Sequence, residues 1–346
     1  MSGQPAAATA VRTPKGCCEW WKRKWRCSLG SYNGLIIINK EAGFTSSDVV
    51  AKLRSILHMK KIGHTGTLDP DAVGVLPVCL GNGTKLVQML MDHDKVYEAV
   101  CRLGVRTDTQ DMSGTVLKEI PDDEVARRLA EQAQASALSI LELLSQTAEE
   151  FTGSILQTAP MYSAVKVGGK RLYEIAREGK VVERTPRPVQ VFSIRITGID
   201  LPRFTMQVHC GKGTYIRTLC SDIGDTLGTG GAMEHLTRLR VGSCTIDEAH
   251  TLGEIETVMK TDPDGVQKLI RPTDSFFADA PGLIADGAAL TLLKNGNRIP
   301  AALLRDVLPS EGAKRYRMYD ADGRFYAVYA ADGRGGGLTP EKMFIS

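Results

Sequence analysis

Apolar positions recur along the chain in two rhythms, and the changes between them lay out the elements. Gly34–Lys40 holds a run of leucine and isoleucine and predicts a buried strand. Thr45-Ser46-Ser47-Asp48 then reads as a capping box, and Val49, Leu53, Ile56 and Leu57 follow at helical spacing. Residues 86–91 suit a short helix, and residues 96–103 alternate as a strand that carries Tyr97. A polar turn at 107–111 precedes a strand around Val116. Residues 122–150 are helical in pattern, with Val125, Leu129, Leu138, Leu141 and Leu144 as candidate core contacts. Residues 160–188 are irregular. Strands follow at 189–194 and 204–209, and Gly211-Lys212-Gly213-Thr214 opens a helix lined by Ile216, Leu219, Ile223 and Leu227. From about Asp279 the texture changes. A helical piece at 288–294 leads to two alternating runs, 316–319 and 325–329, joined by Asp320-Ala321-Asp322-Gly323, a hairpin signal for a small separate β-domain.

Between the first helix and the next strand lies Lys61-Ile62-Gly63-His64-Thr65-Gly66-Thr67-Leu68-Asp69-Pro70-Asp71-Ala72-Val73-Gly74-Val75-Leu76-Pro77. Its glycines allow a tight backbone that can approach a ligand closely. Asp69 precedes a proline, which confines it to extended or turn geometry. Taken alone, this is a Gly/Asp/Pro turn.

Composition changes this picture little. With 346 residues, 42% hydrophobic and 24% charged, the chain has the make-up of a globular protein of two domains, or of one large domain with an appendage. No apolar run approaches the roughly 20 residues of a membrane helix. The N-terminus lacks a signal-peptide core, and eight scattered cysteines suit buried thiols in a reducing cytoplasm. Charge is more telling. The net +3 hides a tail, residues 1–30, in which six bases between Arg12 and Arg26 face one acid, Glu19, so the remainder carries −2. Residues 160–188 hold seven bases against three acids. A nucleic-acid surface must therefore be local, not a global field. Trp20, Trp21 and Trp25 among the tail's bases could stack on such a partner. Cys17, Cys18 and Cys27 lack a C-x-x-C pair and a fourth ligand, so no metal site is expected there.

Several motifs occur together and in order. They are Gly63-His64-Thr65-Gly66-Thr67-Leu68-Asp69-Pro70, Tyr97, Arg106-Thr107-Asp108-Thr109 with Asp111, Pro160-Met161-Tyr162-Ser163-Ala164-Val165-Lys166, Gly213-Thr214-Tyr215-Ile216-Arg217-Thr218 and Leu236-Thr237-Arg238-Leu239. In this combination the chain resembles the TruB family of tRNA pseudouridine synthases over nearly all of residues 34–275. The resemblance implies an α/β (α+β) pseudouridine synthase fold: a mixed, mostly antiparallel sheet with flanking helices and a thumb-loop insertion at about 158–188. It places the catalytic domain at 31–278 and a small β-rich, PUA-like domain at 279–346.

The implied reaction isomerises the uridine at position 55 in the T-arm loop of tRNA, with the base flipped out. The N1–C1′ bond breaks and the base is rejoined through C5, so a carboxylate acting at C1′ or the 2′ position is needed, and no cofactor or metal. The resemblance gives that role to Asp69. It gives Arg217 the task of keeping the carboxylate ionised and aimed, an effect that lowers an aspartate pKa. Tyr97 would stack on the base and could take the C5 proton. His64 would aid flipping, Leu236 would wall the uracil pocket, and Tyr215 and Arg238 would join the RNA-binding set. Lys212, with the amides of Gly213 and Thr214 at a helix start, would favour a phosphate. Lys166 lies on the thumb, and Lys40 is a further RNA-facing candidate. The helical stretch 122–150 is longer than usual by roughly four turns and is expected to project away from the active site. The resemblance suggests a monomer in the cytoplasm. Two alternatives stand beside it: a catalytically silent tRNA chaperone, and an RNA-guided relative working inside a ribonucleoprotein.

Overall fold

The computed structural model describes residues 32–304, 314–332 and 336–345, so the basic tail of residues 1–30 lies outside the described residues. Strand β1 (Gly34–Lys40) pairs antiparallel with β3 (Val73–Leu80) along its whole length. Helix α1 (Ser46–Ile56) lies between them in sequence. It starts where the capping box predicts: Thr45 Oγ1 accepts from the Asp48 N–H and the Asp48 carboxylate accepts from the Thr45 N–H. Its buried face, Val49, Leu53 and Ile56, packs in one cluster with Ile36, Ile38 and Leu76. The short β2 (Ile62–His64) returns along β3, and a 3₁₀ turn leads into α2 (Val87–Met91). Strand β4 (Lys95–Leu103) buries alternate residues, as its period of two requires. The pair β5 (Val105–Thr107) and β6 (Val116–Glu119) follows.

The 122–150 stretch is two helices, not one: α3 (Asp122–Ala135) and α4 (Ile140–Glu149). Ala137 adopts a left-handed φ of 55°, and Ser139 with Glu142 caps the second helix. Val125, Leu129 and Leu144 enter the main core, whereas Leu138 is half-buried and Leu141 exposed. Nor does the insertion project away. Gln132 donates to the Leu227 carbonyl at 2.9 Å and Arg128 to that of Gly228 at 3.2 Å, which pins it to the far end of the helix that carries Arg217.

Next come β7 (Gly153–Gln157) and the thumb. The thumb is more ordered than its composition suggests, with a β8 (Lys166–Val167) and β9 (Lys170–Arg171) hairpin and a short α5 (Leu172–Arg177). Strands β10 (Arg187–Asp200) and β11 (Arg203–Cys210), helix α6 (Ile216–Thr226), β12 (Gly231–Val241), β13 (Cys244–Thr245), α7 (Leu252–Thr261) and β14 (Ile270–Arg271) complete this part. Ten strands form one sheet, in order β14-β1-β3-β12-β4-β11-β10-β7, with β2 on β3 and β13 on β12. Its pairings are antiparallel except that between β3 and β12. This is the expected mixed, mostly antiparallel α/β architecture.

The C-terminal β-domain is a five-stranded sheet compatible with a PUA-like fold. It contains β15 (Gly282–Ile284), helix α8 (Gly287–Lys294), β16 (Ile299–Pro300), β17 (Arg315–Tyr319), β18 (Phe325–Ala331) and β19 (Gly337–Met343). The β17–β18 hairpin turns where predicted, with Asp320 Oδ1 accepting from the Asp322 and Arg324 N–H groups. Val328 and Phe344 share a cluster with Leu35, Cys79 and Phe277, and Tyr319 donates to Asp274 at 2.7 Å, so the small sheet is cemented to the larger one.

Candidate active site

Asp69 stands in the loop between β2 and β3, and that loop is held by backbone carbonyls and buried donors. The Thr65 N–H donates to the Pro77 carbonyl at 3.1 Å, and the Leu68 N–H to Ser46 Oγ at 2.9 Å. Two buried cations do most of the bracing. Lys40 Nζ donates to the carbonyls of Pro70, Phe44 and Glu41 at 2.7, 2.7 and 3.0 Å. Arg238 Nε donates to the Val75 carbonyl at 2.7 Å, and its Nη groups reach the Thr67 and Gly66 carbonyls at 3.5 and 3.4 Å. Gly74 has φ +100°, and a Cβ there would collide with the Arg238 backbone, so the loop's exit requires glycine.

These contacts correct two expectations. Lys40 and Arg238 are each 1% exposed, and neither faces RNA. A buried ammonium needs acceptors, and the loop supplies carbonyls; burial still pushes the Lys40 pKa down to about 8. Lys40→Met keeps the stem and strands three carbonyls. It should cost on the order of 1–3 kcal/mol in urea unfolding and lower turnover as the Asp69 loop slackens, with RNA affinity near that of wild type.

Asp69 and Arg217 meet face to face. Arg217, on the first turn of α6, forms an ion pair with Asp69: Nη2 donates to Oδ1 at 3.3 Å and Nε stands 3.0 Å from Oδ2. The remaining N–H groups are also used: Nη2 to the Tyr162 carbonyl at 2.9 Å, and Nη1 to the Thr109 carbonyl at 3.2 Å and Asp111 Oδ2 at 3.3 Å. The guanidinium is thus a buried hub, 6% exposed, while the Asp69 side chain keeps 39% of its surface open. The open side is where a ligand would sit. The electrostatics differ from expectation. Burial pushes the Asp69 pKa above its usual 3.8, and Arg217 offsets this only in part, with Asp111 adding to the rise.

Tyr97 on β4 lies opposite Arg238 of β12, and Leu236 opposite Ala99, so both side chains face one side of the sheet. Both pack in the cluster that includes Leu68 and Ala72, neighbours of Asp69. Burial pushes the Tyr97 phenol up, so it is neutral near pH 7. His64 ends β2. Its Nδ1 is buried with no hydrogen-bond partner, and burial lowers its pKa, leaving a neutral, flat ring beside the loop. Tyr215 is the N-cap of α6. The helix therefore begins later than the glycines suggest, and Gly213 and Thr214 precede its first turn. Lys212 is exposed and pairs with Asp92 at 2.8 Å, so a phosphate there must compete with that carboxylate. Lys166 is exposed on the thumb hairpin, whose two strands do not join the main sheet.

The family model described as "TruB family pseudouridylate synthase (N terminal domain)" matches residues 54–216, and the "tRNA pseudouridylate synthase B C-terminal domain" model matches residues 217–278. The chain belongs to the TruB family of pseudouridylate synthases. Among its relatives, a Lachnoclostridium phytofermentans protein named tRNA pseudouridine synthase B is 43% identical over 90% of this chain and 100% of its own length. Proteins of the same name from Clostridium novyi and Burkholderia pseudomallei are 40% and 37% identical, over 90% and 91% of this chain and 100% and 97% of theirs. A chain in a solved Cbf5–Nop10–Gar1 complex shares the fold at a TM-score of 0.59 and 25% identity, covering 90% of this chain and 85% of its own. One in an H/ACA ribonucleoprotein does so at 0.60 and 24%, with the same coverage.

Within this TruB-family site, three contributors escaped the sequence reading. Asp111 was visible only as part of a motif, yet it accepts from Arg217, Thr109 and Ser113. The Tyr162 carbonyl is a backbone group, which no side-chain pattern displays. Gln157, remote in sequence, holds Tyr215.

Proposed function

We propose that this pseudouridine synthase acts on the uridine at position 55 in the T-arm loop of tRNA, with Asp69 as its essential carboxylate. The observation that carries the reading is the fork of Arg217 on a half-open Asp69, since it holds a charged carboxylate toward its open side. Relatives named tRNA pseudouridine synthase B, matched over nearly their whole length, support tRNA as the substrate. Asp69 acts at C1′ or the 2′ position as the N1–C1′ bond breaks. The detached uracil turns and bonds to C1′ through C5, the C5 proton passes to solvent and N1 takes up a proton, so atoms balance and the isomerisation is redox-neutral. Tyr97 offers its ring as a stacking surface; a base–aromatic stack is worth about 1–3 kcal/mol. Its neutral phenol is a weak base, so its oxygen relays the C5 proton only while passing its own onward. His64 and Leu236 line the pocket, and the exposed bases of the thumb, Lys166 among them, hold the RNA stem. Among the described residues no helix is long and apolar enough to cross a membrane; we place the protein in the cytoplasm, as a monomer.

The test follows the atom that leaves. The protein alone, with no guide RNA and no cofactor, should release tritium from a T-arm stem-loop labelled at C5 of its uridines, to about one equivalent per RNA. Tight binding without release would favour a silent chaperone. Release that needs an added guide would favour a ribonucleoprotein enzyme.

A further inference from the structure

The thumb leaves the sheet between β7 and β10, and Gln157, the last residue of β7, pairs across its neck with Arg187. The Gln157 side chain is not spent on the neck. It is buried, 3% exposed, and reaches the start of α6. Its Oε1 accepts from the Tyr215 N–H at 3.0 Å, and its Nε2 donates to the Tyr215 carbonyl at 3.3 Å. Both ends of one amide are thus fixed on one residue, and Arg217 stands two positions further on. The neck touches the arginine directly as well. The Tyr162 carbonyl accepts from Arg217 Nη2, the same nitrogen that donates to Asp69 Oδ1. Arg184, returning from the thumb, donates to the Ala159 carbonyl at 2.9 Å and closes the neck around these contacts.

We propose that Gln157 is a positioning residue that ties the root of the thumb to the start of α6, so that the element closing over the RNA also aims Arg217 at Asp69. This rests on the assignment of Asp69 and Arg217 above. The simpler role is a helix cap: Tyr215 is an N-cap with no capping side chain of its own, and a buried amide satisfies its backbone. A cap stabilises α6 but leaves the protonation of Asp69 alone. The two roles therefore separate in a pH profile.

Gln157→Met keeps the length of the side chain and removes both hydrogen bonds. A displacement of the fork by a fraction of an ångström should lower kcat by about tenfold to a hundredfold, with the stem-loop Kd within about twofold of wild type. The acid limb of kcat should also move to higher pH. The titratable and charged groups facing Asp69 are Arg217, Asp111, Lys40, Asp71 and the neutral Tyr97 phenol on β4, and of these Arg217 is the one whose helix Gln157 holds. Should the methionine variant not fold, Gln157→Leu carries the same measurement. An unchanged kcat overturns the proposal, as does a lowered kcat whose acid limb has not moved, since that is the behaviour of a cap. A wild-type protein that releases no tritium defeats the functional assignment itself, and this proposal with it.

Discussion

Asp69→Asn should cut turnover on a T-arm stem-loop by at least about a thousandfold and leave the stem-loop bound. Asparagine keeps the size of the side chain and an oxygen that can accept from Arg217 Nη2, so the loop, braced by Lys40 and Arg238, should hold its shape. What is lost is the charge. A neutral amide oxygen neither attacks C1′ nor stabilises positive charge developing there. The same carboxylate sets a pH signature. Because burial raises the Asp69 pKa above 3.8, the ionised form is scarcer at acid pH than for a free aspartate, and the acid limb of kcat/KM in wild type should lie above that value. The stability sign follows from the same shift. In the window from 3.8 up to the raised pKa, the folded state binds more protons than the unfolded chain, so this group's contribution falls as pH rises. The asparagine variant lacks that loss. Paired urea titrations at pH 4 and pH 7 should show the stability difference moving in the variant's favour at the higher pH. A variant that still turns over would remove Asp69 from the mechanism.

Much of this site is written in the chain, and what is hidden is hidden for one reason. Periodicity exposes β1, β4 and the β17–β18 hairpin because each has one buried face, and the Thr45–Asp48 box marks the start of α1 because its partners are three residues apart. The motifs holding Asp69, Arg217 and Tyr97 are likewise local. Lys40 and Arg238 look like RNA ligands because a sequence displays charge but not burial; their acceptors are carbonyls, up to 30 residues away for Lys40 and 172 for Arg238. The same blindness inverts the expected pKa of Asp69. Pairing with Arg217 is legible as a motif, whereas the desolvation that outweighs it depends on the whole loop packing. The 122–150 insertion is found by its length, but the contacts of Arg128 and Gln132 with the end of α6 come from tertiary packing.

Arg217→Lys should be nearly as damaging to turnover as alanine, although it preserves the charge. All four N–H groups of the two Nη nitrogens are spent, one on Asp69, one on Asp111 and two on the carbonyls of Thr109 and Tyr162, while Nε stands in ion-pair contact with the second Asp69 oxygen. An ammonium has three donors around one point and cannot span acceptors set out along a planar fork. Lysine would therefore satisfy one carboxylate and leave the other, or the carbonyls, unpaired in a site where the side chain is 6% exposed. Alanine removes the charge altogether and leaves Asp69 and Asp111 facing each other. Breaking a buried pair in this way costs about 3–5 kcal/mol of stability, so activity must be compared where both variants are folded. Under those conditions RNA affinity should fall far less than kcat, because the Arg217 side chain is buried and its Nη donors are all taken by protein acceptors. The acid limb should climb in both variants, and further in alanine, since lysine still offers Asp69 a neighbouring positive charge. A lysine variant with near-normal turnover would mean that charge alone suffices. The fork, and with it the case for Gln157 as the residue that aims it, would then have no catalytic role.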